Sequence, residues 1–185
     1  MKLAFLLAAT LTLAACVSAP SAPQAEQRRY DLGIALQDAS PPWRIGVFAD
    51  GAFGKAMRYR LNYANPNEVR EYAYAFWADR PERLLAQALS ARLAAPGDCR
   101  LDLSLERFEQ VFNSPQTSFG LITATATLRG KARAGAQTRR FSVSQPAPTP
   151  DAAGGVAALS TAAETLAERL RQWEAIPALC GPGKP

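Results

Sequence analysis

The sequence predicts a single α/β domain, a mixed β-sheet of about five to six strands with two principal helices packed on it. Two observations carry that expectation. The chain twice runs through short alternating stretches followed by leucines at helical spacing, in the order β-β-β-α-β-β-β-α. At 185 residues it also has the length of one core rather than two, since a domain of this size buries roughly 70% of its unfolded surface. No internal sequence repeat is visible.

The elements follow in order. Trp43 to Phe48 reads as a strand after the Pro41-Pro42 break, and Met57 to Asn62 alternates Met57, Tyr59 and Leu61 against Arg58, Arg60 and Asn62. A turn at Asn65 to Asn67 leads into a strand over Val69 to Phe76. Asp79, Pro81 and Glu82 have the spacing of a helix cap, first-turn proline and capping-box acid. The helix they open carries Leu85, Leu89 and Leu93 at steps of four and stops at Pro96-Gly97.

In the second half, Leu101, Leu103 and Leu105 alternate with polar residues, and the pattern then slips by one to Phe108 and Phe112. That slip predicts a bulge near Glu106-Arg107. Phe119 to Arg129 and Thr138 to Gln145 continue as strands, antiparallel by their meander order. After Gly154-Gly155 a long helix sets Leu159, Ala163, Leu166, Leu170 and Trp173 on one stripe. Two heptads of such a stripe fit a helix lying on a sheet better than a coiled-coil seam.

The N-terminus has a different composition. Lys2 is followed by the apolar run Leu3 to Leu13, too short to cross a bilayer, and then by Leu13-Ala14-Ala15-Cys16. Small residues alone suit an ordinary secretory signal, but a cysteine directly after them looks like a bacterial lipobox. Residues 1–15 are therefore expected to be a lipoprotein signal peptide. Residues 16–28 are expected to be the lipidated Cys16 with its tether, and residues 29–185 the domain. Val17 to Gln27 is rich in Ala, Ser and Pro and reaches about 35 Å if extended. The likeness to bacterial lipoproteins implies three acyl chains, palmitate among them, enough to hold the protein firmly at a membrane.

Composition excludes several classes of function. There is no histidine, which removes the commonest general base, the usual zinc ligand and every Ser-His or Cys-His pair. With Cys16 acylated, only Cys99 and Cys180 remain, too few for a thiolate metal site. No phosphate loop, dinucleotide turn or nucleophile elbow is present, so no catalytic residue, cofactor or metal is expected. Losing residues 1–15 removes Lys2 alone among the charges, so the net charge falls by one from +5 to +4. The densest cationic pairs are Arg28-Arg29 and Arg139-Arg140, which falls short of a nucleic-acid footprint.

One stretch invites a binding role. Tyr72, Tyr74, Phe76 and Trp77 place four rings within six residues. If Tyr72, Tyr74 and Phe76 share a strand face, packing beneath a helix accounts for them, and Trp77 locks the strand-to-helix junction. A patch facing a partner or lipid is the alternative.

The order of motifs resembles a known family. A lipobox, Tyr30-Asp31-Leu32-Gly33, Met57 to Leu61, Tyr74 to Leu93 with its WADRPERLLAQALSARL, and Val156 to Leu170 are together similar to the ABC-type transport auxiliary lipoproteins. The likeness covers nearly the whole chain after the signal. It implies a non-catalytic accessory subunit of a transporter with a permease, an ATPase and a periplasmic MCE-domain protein, moving phospholipids or other hydrophobic molecules. It also implies docking on the MCE-domain protein, and leaves self-association as a homo-oligomer open. No aspartate follows Cys16 to signal inner-membrane retention, so the inner leaflet of the outer membrane, facing the periplasm, is the expected location. An outer-membrane lipoprotein that activates a cell-wall synthase is the rival reading.

Export places Cys99 and Cys180 in an oxidising compartment as the only available pair, which predicts a disulfide between them. Two separate buried thiols are the alternative. For the anchor, Cys16→Ser is expected to abolish lipid attachment and leave an unprocessed or soluble form, measured by labelled palmitate on the immunoprecipitated protein. Label persisting on the variant would refute the assignment.

Overall fold

The strand from Arg100 to Ser114 organises the molecule. In the computed structural model, which describes residues 26–33, 44–49, 53–93, 99–130 and 135–180, the elements in chain order are as follows. The strands β1 Arg28–Tyr30, β2 Arg44–Ala49, β3 Ala56–Leu61 and β4 Arg70–Trp77 precede helix α1 Pro81–Arg92. Then come β5 Arg100–Ser114, β6 Thr117–Arg129, β7 Ala136–Pro146, and helices α2 Ala152–Arg171 and α3 Ala175–Cys180. The expected signal peptide, Cys16, most of the tether, the Pro41-Pro42 break, Trp43 and the Pro96-Gly97 stop lie outside the described residues.

One seven-stranded mixed sheet results, ordered β1-β4-β3-β5-β6-β7, with β2 also on β5. Along one edge β5 pairs antiparallel with β6 from Arg100↔Arg129 to Ser114↔Thr117, and β6 pairs antiparallel with β7. Its other edge is divided. β2 runs parallel to residues Arg100 to Leu105, and β3 runs parallel to Gln110 to Phe112. The register shift between Leu105 and Arg107 lies between those two territories. The extra residue there keeps Leu101, Leu103, Leu105 and then Phe108 on one buried face, where an unbroken alternation would turn the second set outward. The α/β mixed sheet is as the sequence predicts. The strand beyond the expected five to six is the three-residue β1, which pairs parallel with β4.

Both principal helices lie on that buried face. α1 contributes Leu84, Leu85, Ala88 and Leu89, and α2 contributes Leu159, Ala162, Ala163, Leu166 and Leu170. Trp77 meets Phe108 edge to face at 5.2 Å between ring centres, and Phe141 meets Trp173 likewise at 5.7 Å. Such pairs contribute about 0.5–1.5 kcal/mol beyond the area they bury. Cys99 and Cys180 are joined by a disulfide with Cα atoms 5.6 Å apart, which ties the end of α3 to the residue preceding β5. Closing a loop of this sequence separation, 81 residues, stabilises by about 4.5 kcal/mol in the chain-entropy account.

Two helix starts differ from expectation. The cap of α1 is Arg80, in extended conformation and without a side-chain bond, because Asp79 spends its carboxylate on the Arg80 N–H at 2.8 Å. Pro81 does occupy the first turn, but Glu82 closes no capping box with Asp79. α2 begins at Ala152, before the two glycines rather than after them. Asp151 caps it by accepting from the Gly154 N–H at 2.8 Å and from the Thr149 hydroxyl at 2.7 Å.

The glycines in this region are packing devices. A Cβ on Gly155 would collide with the Gln110 side chain, and one on Gly154 with the Thr149 carbonyl. On the sheet side, a Cβ on Gly120 would sit 2.7 Å from the Leu159 nitrogen and 2.9 Å from the Ala158 carbonyl carbon. Those are backbone atoms of α2, so only a shift of the helix relieves the clash. Gly120→Ala is therefore expected to destabilise by about 1–3 kcal/mol in urea denaturation, despite the entropy that alanine removes from the unfolded chain. Gly54→Ala, whose Cβ meets nothing nearer than 3.9 Å among the described residues, is expected to be neutral or slightly stabilising. Equal midpoints for the two variants would refute this reading of the helix–sheet contact.

Candidate functional site

The aromatic stretch does not form one face. β4 pairs with β3 at Phe76↔Ala56 and next at Glu71↔Arg58, so β4 advances five positions while β3 advances two. The surplus falls on Tyr72 to Ala75 and breaks the alternation: Ala73 and Tyr74 are both exposed. Trp77 is buried at 1% exposure and Ala75 at 5%, both in the core, whereas Tyr74 stands 55% exposed. Phe76 and Tyr72 are half-buried. Four neighbouring rings thus divide among core, rim and solvent.

Tyr72 links the strand to the floor beneath α2. Its hydroxyl donates to Gln110 Oε1 at 2.8 Å, and Gln110 Nε2 donates to Ser118 Oγ at 2.8 Å. Gln110 is fully buried, and the space its side chain needs is the space Gly155 leaves. The ring of Tyr72 lies 4.7 Å from that of Tyr59, which in turn meets Phe112 at 6.0 Å. Burial, with Tyr59 and Asp151 adding to it, pushes the Tyr72 phenol well above its ordinary value.

Above this network a groove of about 540 Å³ opens between the β1–β4 edge and the start of α2. Tyr30, Tyr72, Tyr74 and Ala75 line one wall, and Asp151 and Ala152 the other. Sequence reasoning singled out the tyrosines and missed Gln110, Asp151 and Gly155. The available signal was a glutamine on the same strand face as Phe108 and Phe112.

Several other polar groups among the described residues have structural partners. Arg60 grips Glu109 through Nε–Oε1 at 3.0 Å and Nη2–Oε2 at 3.2 Å, with both side chains nearly buried. Its Nη1 donates to the Pro66 carbonyl at 2.7 Å, which pins the β3–β4 turn. Glu106 is held below the usual carboxylate range by Arg140 and by the Thr125 hydroxyl. Asp151 is lowered by the Gly154 N–H and the Thr149 hydroxyl, and Asp79 by the Arg80 N–H. The Asp151 shift thus comes with its helix cap, the Glu106 shift with a cross-strand contact, and the Asp79 shift with the next peptide N–H. Among the described residues no group of three His, Cys, Asp or Glu is placed to hold a metal ion. None of the described helices is long and apolar enough to cross a membrane.

Sheet, helices and groove together define an α/β domain with a tyrosine-lined groove between the β1–β4 edge and the start of α2. The same architecture occurs in the crystal structure of protein XCC0632 from Xanthomonas campestris, assigned to the DUF330 family model. That protein is 21% identical, with a TM-score of 0.64 over 82% of this chain and 96% of that one. A second crystal structure, of an uncharacterized protein, is 13% identical with a TM-score of 0.63, over 80% of this chain and 98% of the other. At these identities the likeness establishes the fold alone. No curated protein matches the chain. The family model described as ABC-type transport auxiliary lipoprotein component matches residues 57–170, more than half the chain. The protein belongs to that family.

Raised acidity of the unfolded state relative to the folded one makes Tyr72 a pH-sensitive element. Its folded value lies above its unfolded value, so its contribution is complete below about pH 10 and is lost as pH rises beyond that. Tyr72→Phe is expected to lower stability at pH 7 by about 1–2 kcal/mol, by leaving Gln110 Oε1 without its donor. It is also expected to flatten the fall in stability above pH 10, read from denaturation midpoints across pH. A variant whose alkaline limb matches the parent would overturn the assignment.

Proposed function

We propose that this chain is a non-catalytic accessory subunit of an MCE-type ABC transport system that moves phospholipids or other hydrophobic molecules across the envelope. It is anchored through acylated Cys16, in the inner leaflet of the outer membrane, and docks on the periplasmic MCE-domain protein beside the permease and ATPase. The family match over residues 57–170 is the observation that carries this reading. The lipobox-like Leu13 to Cys16 supports the anchor, and the absence of histidine from the whole chain accords with a role in assembly rather than chemistry.

Co-purification of the full-length protein from detergent-solubilised envelopes tests it. The expected outcome is recovery of an MCE-domain protein with its permease and ATPase, and a weakened envelope barrier when the gene is deleted. Recovery of a cell-wall synthase in place of the MCE-domain protein would reject the reading and favour the rival one.

A further inference from the structure

The sheet ends at β7, and that edge is open. Residues Ala136 to Arg140 are all exposed, as are Ser142 and Ser144, and among the described residues no strand pairs with the outer side of this eleven-residue strand. A bare edge offers a row of backbone donors and acceptors at strand spacing. The direction of those groups can be read from one contact. Arg169 Nη1 donates to the Ser142 carbonyl at 2.8 Å from α2, outside the sheet. Ser142 therefore turns its peptide groups away from β6, and by the strand's twofold alternation Thr138, Arg140 and Ser144 do the same.

Charge marks this edge too. Along β7 itself, Ala136 to Pro146, the sequence has the cations Arg139 and Arg140 and no carboxylate. Between β7 and the end of α2 lies a cleft of about 470 Å³ lined by Arg139, Ser142, Arg169, Gln172 and Glu174. The Arg139 guanidinium lies 5.3 Å over the Phe141 ring, which holds it at the mouth of the cleft. Arg140 is turned to the other face of the sheet, where Glu106 neutralises it.

We propose that β7 is a strand-addition site for an extended acidic segment of a partner protein. The segment hydrogen-bonds to the outward peptide groups of Thr138 and Arg140 and sets its carboxylates against Arg139 and Arg169. Charge decides between occupants. A second copy paired edge to edge about this stretch would set arginine against arginine, a destabilising cross-strand pair. An anionic lipid headgroup would satisfy the guanidiniums but would give the outward carbonyls no donors. An acidic strand satisfies both, as in other β-augmentation complexes.

The test uses the full-length protein in detergent and a synthetic peptide of about ten residues alternating valine with glutamate. Fluorescence anisotropy reads binding, and amide hydrogen exchange reads the site. The glutamate peptide is expected to bind and to protect the Thr138 and Arg140 amides. Arg139→Glu combined with Arg169→Glu is expected to weaken it by roughly tenfold. Thr138→Pro, which removes one outward N–H at a position where an edge strand tolerates proline, is expected to weaken it without reversing any charge. Circular dichroism checks that each variant is folded, and if Thr138→Pro is not, the exchange pattern of the parent decides. Equal binding of a lysine-for-glutamate peptide, or protection elsewhere than β7, would overturn the proposal. So would binding to phosphatidylglycerol vesicles without binding to the peptide, or a dimer that protects the β7 amides without any peptide.

Discussion

The close approach of α2 to the sheet is the contact on which the remaining architecture depends. Gly120 lets the Ala158–Leu159 backbone settle directly onto β6, and Gly155 leaves room for the fully buried Gln110. A buried amide is tolerated only when its donors and acceptor are engaged. Here Tyr72 and Ser118 supply the partners. Four elements, α2, β4, β5 and β6, are thereby locked at one point, and the position of the tyrosine groove follows. Its one wall is β4, its other wall is the α2 start, and Gln110 lies beneath both.

Electrostatics are handled pair by pair on the opposite face of the sheet. Asp102 lies between Arg100 and Arg129, Glu106 joins Thr125 to Arg140, and Glu109 holds Arg60. The exposed pairs among these contribute little individually, since solvent screens them. Their effect is on register, because each spans neighbouring strands or neighbouring positions and favours one alignment. The Arg60–Glu109 pair differs by being nearly buried. Removing either partner would leave an uncompensated charge next to Val111, so this pair specifies the β3–β5 alignment more than it adds net stability.

Much of the fold was legible because its signals are periodic. The parity slip after Leu105 marked the bulge, and the stripe from Leu159 to Leu170 marked the face of α2, with Trp173 falling just past its end. Where a residue serves packing rather than local propensity, the reading failed. Gly154-Gly155 has the composition of a breaker, yet both glycines lie within α2 because tertiary contacts demand small residues there. Asp79 has the composition of a cap, but its carboxylate bonds the N–H of the residue directly after it. The candidate site was legible only as a list of rings. The irregular β3–β4 pairing, which sends Tyr74 to solvent and Trp77 to the core, depends on how two strands fit and leaves no period in either sequence.

The two ends of the sheet are protected in different ways, and this separates their uses. β1 is only three residues long, too short to template a neighbouring strand, and the chain enters the domain through it. β7 is long and is guarded by arginine instead, a defence that repels a copy of itself but not an acidic strand. Five strand spacings separate β1 from β7, about 24 Å at the usual interstrand distance. The tyrosine groove lies on the β1 side, where Glu26 and Arg28 contribute to its lining. The groove and the β7 edge therefore lie at opposite ends of the sheet path, so a ligand in one leaves the other uncovered.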